Sequence, residues 1–204
     1  REFLPISVDY GPTRQVFHAG RGAVAVPAIA QGLHHLHERY GRLPRNVLSE
    51  PAATLAREGA RNTETSAIVG QMLGPITALS ARSRALFLPG GQARGATESM
   101  RAPAMAEAIE AFGRNGSEPF VRGGFAEALL AAFGPPLGSL GPADLLAYTV
   151  VEREPIAVRF HGSTLLVPPP PCLGGALLAF GMRLLHRLPR ATSERERFAV
   201  AAAV

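Results

Sequence analysis

Apolar residues recur along the chain with two different spacings, and the change from one to the other lays out its elements. Near the start, Ile6 and Val8 alternate with Ser7 and Asp9, the period of an extended strand, so residues 1–10 read as extended. Gly11 to Gly22 reads as glycine-rich and irregular, and Val24 and Val26 as a brief extended piece ending at Pro27. From Ala28 to Tyr40 the period lengthens. Ile29, Leu33, Leu36 and Tyr40 fall on one helical stripe, expected to be a buried face, and Gly41 stops the helix. Glu50-Pro51 is expected to open a helix over Ala52–Glu58 with Gly59 as its stop, and a further helix is expected over about Thr63–Leu73.

Farther on, Leu86 to Gly91 reads as a short apolar piece closed by a turn, followed by loop from Gln92 to Thr97. Pro103 opens a helix with Met105, Ala108, Ile109 and Phe112 on one side, ended by Gly113 and Asn115-Gly116. A second follows over Phe120–Phe133, with Phe125, Leu129, Leu130 and Phe133 as its stripe. Pro142 starts a short helix through Leu145 to Tyr148, and Asp144 places negative charge at its positive end. Val150, Val151, Ile156, Val158 and Phe160 form β-rich pieces about Pro155. His161-Gly162 then turns into Thr164–Val167, a hairpin pattern. The prolines at 168–171 donate no ladder hydrogen bonds and end the strand. Gly174 and Gly175 permit close backbone approach before the apolar run Ala176–Leu185, long enough for a buried helix. After Leu188-Pro189, Thr192 or Ser193 can cap a last helix from Glu194, which still runs at Val204; a helix cut off there is expected to mark a truncation.

Length and composition narrow the class. A chain of 204 residues, 47% hydrophobic and 18% charged, can bury a core and suits a globular protein. All 21 basic residues are arginines against 16 acids, which leaves a net charge of +5. These arginines are not clustered with interleaved aromatics, so a nucleic-acid surface is not indicated. One cysteine excludes an internal disulfide, no apolar run reaches the ~20 residues of a membrane span, and Arg1-Glu2-Phe3-Leu4-Pro5 is not a secretory leader.

Candidate chemistry is sparse. His34 and His37 share a helical face, but no third ligand stands in spacing, so solvent-facing histidines are expected and no metal. Pro89-Gly90-Gly91 lacks the Gly-Lys-Ser/Thr ending of a phosphate loop. No Gly-x-Ser-x-Gly elbow is present, and Cys172 has no histidine that spacing would bring to it. Asp144, Glu152 and Glu154 read as a solvated face or as partners of Arg153 and Arg159 rather than as a catalytic pair.

The order of several short motifs is nevertheless specific. Ala143-Asp144-Leu145, Ala147-Tyr148, Glu152-Arg153-Glu154-Pro155-Ile156, Phe160-His161-Gly162, Pro169-Pro170-Pro171 and Gly174-Gly175 together resemble the large subunit of gamma-glutamyltransferases (gamma-glutamyltranspeptidases). So do Arg1-Glu2-Phe3-Leu4-Pro5, Val26 to Leu33, Arg39 to Pro44, the Pro51 to Gly59 step and Asn115 to Glu127. Cys172-Leu173 stands where the family usually carries two serines.

The resemblance implies an α/β chain of the four-layer αββα N-terminal-nucleophile hydrolase type, with residues 1–204 part of one domain. Residues 24–148 would be a mostly helical excursion, and 149–204 a strand pair with its following helices. It implies gamma-glutamyl transfer or hydrolysis, with Arg1 gripping the α-carboxylate of the γ-glutamyl group and no cofactor. The nucleophile would be the N-terminal threonine of a small subunit cut from the same precursor, its own α-amine acting as base. A periplasmic or secreted location, with any leader removed, belongs to the same expectation. A related amide hydrolase such as an acylase, or a non-catalytic remnant that binds a partner or amino acid, remains an alternative.

Overall fold

The computed structural model describes residues 2–160, 162–187, 193–196 and 199. Its internal contacts divide the chain into two compact units, Arg1–Val150 and Val151–Val204.

The first unit opens with a hairpin. Strand β1, Leu4–Asp9, pairs antiparallel with β2, Arg14–Ala19, in a register that sets Ile6 opposite Phe17 and Val8 opposite Gln15. Alternation puts Val8 inside at 3% exposure, as the period-2 pattern requires. At the turn, Asp9 Oδ1 accepts from the Gly11 N–H at 2.8 Å, and Gly11 adopts φ +88°, a conformation glycine takes without strain. The stretch expected to be irregular, Gly11–Gly22, thus contains a full strand. A single 3-10 turn at Arg21–Ala23 follows.

Helices fill the rest of the unit: α1 (Ile29–Tyr40), α2 (Arg45–Glu58), α3 (Glu64–Met72), α4 (Gly74–Thr77), α5 (Ala81–Phe87), α6 (Pro103–Asn115), α7 (Glu118–Val121), α8 (Gly124–Phe133) and α9 (Pro142–Ala147). Thr63 caps α3, its hydroxyl accepting from the Ser66 N–H at 3.1 Å. Asp144 closes the start of α9 by accepting the Gly141 N–H at 2.8 Å. Between α2 and α6 runs a two-residue ladder, β3 (Ala60–Arg61) with β4 (Ser99–Met100).

Three stretches depart from expectation. Helix α2 begins at Arg45 and carries Pro51 inside it; Val47, whose carbonyl loses its partner there, is exposed, so water can satisfy it. The stretch expected as one helix over Phe120–Phe133 breaks into α7 and α8 at Gly123, where a Cβ would stand 2.9 Å from Pro119 Cα. Helices α4 and α5 lie where no helix was indicated; Ser80 caps α5 by accepting from the Ser83 N–H at 3.0 Å.

Packing is tightest where side chains are smallest. Helices α2 and α6 are in direct contact; Gly113 is buried against Ser49, and the Arg57 guanidinium donates to the Glu110 carboxylate. A small core joins Ala126, Leu140 and Leu145, with Val26, Leu129, Leu130 and Phe133 around it. Leu145, 1% exposed, contributes about 1.5–3 kcal/mol by leaving water.

The second unit is a hairpin covered by a helix. Strand β5, Ile156–Phe160, pairs antiparallel with β6, Ser163–Val167, and Phe160 opposite Ser163 leaves two residues for the turn. Of these, Gly162 has φ +87° and His161 lies outside the described residues. Val150 and Val151 are not strand, so the ladder lies wholly beyond Pro155. Val158 and Val167 share the inner face with Ala179 of helix α10, Leu173–Arg187. Only one stripe of α10 is buried. Leu177, Leu178 and Phe180 are exposed, contrary to a helix buried all round. Of the expected final helix, Ser193 and Glu196 are described and exchange capping hydrogen bonds, whereas Leu188, Pro189, Thr192 and Val204 lie outside the described residues.

Candidate functional site

Two places in the first unit gather chemistry. The first surrounds Glu2. Its N–H donates to the Leu137 carbonyl at 2.8 Å, and its own carbonyl accepts from the Gly22 N–H, also at 2.8 Å. Its carboxylate stands 3.8 Å from Arg21 Nε. The backbone that leads into β1 is therefore held from two sides before the strand begins. Arg1, the one expected substrate-binding residue, lies outside the described residues.

The second place is an open groove of about 960 Å³ whose walls are α1, α2, α6 and the aromatic pair Phe120–Phe125, stacked with ring centroids 5.0 Å apart. The α1 stripe expected to be buried forms one wall. Ile29 is 76% exposed and Tyr40 64%, while the small Ala30 is the buried residue of this helix. Periodicity marks which face is apolar; it carries no information on what covers that face.

At one end of the groove a polar knot ties α1 to α2. Arg45 Nη1 donates to Glu38 Oε1 at 2.7 Å and to His34 Nδ1 at 3.1 Å. A guanidinium only donates, so His34 accepts through Nδ1 and carries its proton on Nε2. His37 Nε2 donates to the Leu43 carbonyl at 2.8 Å. Both histidines are half-buried and bonded to the scaffold, not solvent-facing as expected. Among the described residues no group of three His, Cys, Asp or Glu side chains could hold a metal ion. With Arg45 paired to Glu38, the groove offers apolar surface and no free charge of its own.

The remaining candidates are dispersed. Asp144 serves as the α9 cap in the first unit; Glu152, Arg153, Glu154 and Arg159 are exposed in the second, consistent with a solvated face. Cys172 is a free, exposed thiol one residue before α10. Gly175 fulfils the close approach expected of it, since a Cβ there would overlap the Pro168 carbonyl, whereas Gly174 faces open space.

A family model described as gamma-glutamyltranspeptidase matches residues 7–202. The chain belongs to the gamma-glutamyltranspeptidase family. It is 32% identical over 163 residues to human glutathione hydrolase 7, an alignment covering 76% of this chain and 24% of that protein. It is 32% identical over 194 residues to the mouse glutathione hydrolase 5 proenzyme, covering 91% of this chain and 33% of the relative. These gamma-glutamyltranspeptidase residues thus span about a quarter to a third of the curated relatives they match. The crystal structure of Helicobacter pylori gamma-glutamyltranspeptidase superposes with a TM-score of 0.75 at 20% identity, over 91% of this chain and 54% of that one. The fold is accordingly that of the N-terminal-nucleophile hydrolases, mixed helix and strand. Among the described residues no helix is long and apolar enough to cross a membrane.

Sequence reasoning missed the Glu2 clamp and the groove. For the first a signal was present in Gly20-Arg21-Gly22; for the second the stripes of α1 and α6 were visible, but not their exposure.

Proposed function

We propose that this chain is part of an enzyme that transfers or hydrolyses γ-glutamyl groups, glutathione among its donors. The match to the gamma-glutamyltranspeptidase family across residues 7–202 carries the reading. The names of the relatives, glutathione hydrolases and a proenzyme, support both the reaction and a precursor that is cut.

In this reading the nucleophile is the N-terminal threonine of a small subunit from the same precursor, outside these 204 residues. Its α-amine takes the hydroxyl proton while Oγ attacks the γ-carbonyl carbon. The amide C–N bond breaks, the donor's amine leaves with a proton, and a γ-glutamyl ester remains. Water or an acceptor amine then takes the acyl group and the threonine hydroxyl is restored. The step needs no cofactor. Arg1 holds the donor's α-carboxylate, a task suited to a planar fork of two parallel N–H donors. The two compact units belong to one domain, and the enzyme works in the periplasm or outside the cell.

Intact mass and N-terminal sequencing of every chain in the purified native protein test this. A second chain of small-subunit size that begins with threonine is expected. Its absence overturns the reading and leaves a non-catalytic chain.

A further inference from the structure

The Asn115-Gly116 step closes α6 and has no role in the reaction assigned above. The chain holds three asparagines, and the other two precede Val47 and Thr63, whose branched Cβ atoms crowd their own amide nitrogens. Gly116 brings no such screen. Asn115 is exposed, and the Gly116 nitrogen reaches its side-chain carbonyl carbon once the backbone leaves helical geometry.

The surroundings restrain this pair. The Gly116 N–H donates to the Phe112 carbonyl at 2.8 Å, the bond that caps α6. Gly116 is buried at φ +64°, and a Cβ there would stand 2.7 Å from His34 Nδ1 and 3.4 Å from Arg45 Cζ. Its seat has no room for one further carbon. His34 and Arg45 are the side chains joined in the knot between α1 and α2, Nδ1 of the first accepting from Nη1 of the second at 3.1 Å. The end of α6 and the knotted end of the groove therefore share one contact.

We infer that Asn115 is a site of spontaneous deamidation, guarded by the His34–Arg45 knot and able to loosen that knot once modified. The Gly116 nitrogen attacks Asn115 Cγ, the Cγ–Nδ2 bond breaks, and ammonia leaves with the proton that Gly116 gives up. Water then opens the succinimide. Attack at Cγ gives aspartate with the original main chain; attack at the main-chain carbonyl gives isoaspartate, in which the chain runs through Cβ and Cγ. Isoaspartate lengthens the main chain by one carbon beside a seat with no room for one, so Gly116 must withdraw from His34. Either product also adds a carboxylate at the negative end of α6, where the helix dipole opposes it. The first step needs the Gly116 N–H released from Phe112, which fraying of the last helical turn supplies.

The test uses the purified native protein with all its chains, held at mildly alkaline pH both folded and in urea. Peptide mapping by mass spectrometry reads asparagine, aspartate and isoaspartate at positions 46, 62 and 115. In urea Asn115 is expected to convert well before Asn46 and Asn62, and in the folded protein to keep that order at a slower rate. His34→Ala is expected to speed conversion of Asn115 in the folded protein about fivefold, the ratio that about 1 kcal/mol of lost support produces, with the rate in urea unchanged. Arg45→Met, which leaves the His34 ring in place without its donor, serves if His34→Ala fails to fold. The isoaspartate form, separated by its added charge, is expected to exchange the amides of residues 34–40 about fivefold faster than the unmodified protein. Ageing of Asn115→Gln is expected to leave that exchange steady. Conversion of Asn115 in urea no faster than at the other two asparagines overturns the site. Folded rates equal in wild type and in both variants overturn the guard, and unchanged exchange in the isoaspartate form overturns the coupling.

Discussion

Adding one methyl at Gly175 and the same methyl at Gly174 should move stability in opposite directions. The two glycines are neighbours in the first turn of α10, and alanine improves helix propensity at either by up to about 1 kcal/mol. At Gly174 nothing lies within 4 Å of the new Cβ, so Gly174→Ala should be neutral or gain part of that amount. At Gly175 the Cβ would overlap the Pro168 carbonyl oxygen and lie 2.9 Å from its carbon. These are backbone atoms, so no rotamer change relieves the contact; α10 must move off the end of β6. Overpacking of this kind costs about 1–3 kcal/mol, which exceeds the propensity gain and leaves Gly175→Ala net destabilising by up to about 2 kcal/mol. The displaced contact is that of Ala179 with Val158 and Val167, so the loss should appear first in the hairpin. Amide hydrogen exchange of Ile156–Phe160 and Ser163–Val167 is the suitable assay, at about tenfold in rate per 1.4 kcal/mol of local opening. Slower or unchanged exchange in Gly175→Ala, equal to that of Gly174→Ala, would refute the packing argument.

Two further substitutions probe the first unit. Leu145→Ala removes the most buried large side chain of the Ala126–Leu140 cluster and should destabilise by about 2–5 kcal/mol in urea unfolding, with no compensation from neighbours as small as Ala126. Thr63→Ala deletes the acceptor for the Ser66 N–H and should cost about 1 kcal/mol, read as faster exchange confined to the first turn of α3; Thr63→Ser should retain most of it.

What could be read from the sequence divides by the range of the cause. Helices α1, α3 and α6 and the β5–β6 hairpin follow from local period, caps and turn glycines, and all four stand where those signals put them. Strand β2 was illegible because Arg14-Gln15-Val16-Phe17-His18 is mostly exposed on both faces and flanked by glycine, so it shows no apolar alternation. Pro51 looked like a helix start and is an interior residue, tolerated because its turn faces solvent. Burial was the least legible property. The stripe Ile29-Leu33-Leu36-Tyr40 declares an apolar face, yet exposure depends on partners many residues away. At the candidate site, the backbone clamp on Glu2 depends on Leu137, brought from the far end of the unit, which no local pattern announces. The role given to Arg1 came from family resemblance rather than from any physical signal in the residue itself.

The ladders carry a consequence for solubility. Each described strand is paired on one side only, so each presents a free row of backbone donors and acceptors. Such rows recruit other strands unless charge or proline blunts them. Pro5 in β1, Arg14 in β2, Arg61 in β3 and Arg159 in β5 supply that protection. Strand β4, Ser99–Met100, has neither but is two residues long, whereas β6, Ser-Thr-Leu-Leu-Val, lacks both over five residues and its Leu166 is 61% exposed. Pro168 stops the strand from lengthening but does nothing to its flank, which makes β6 the place where a stray strand would add most easily.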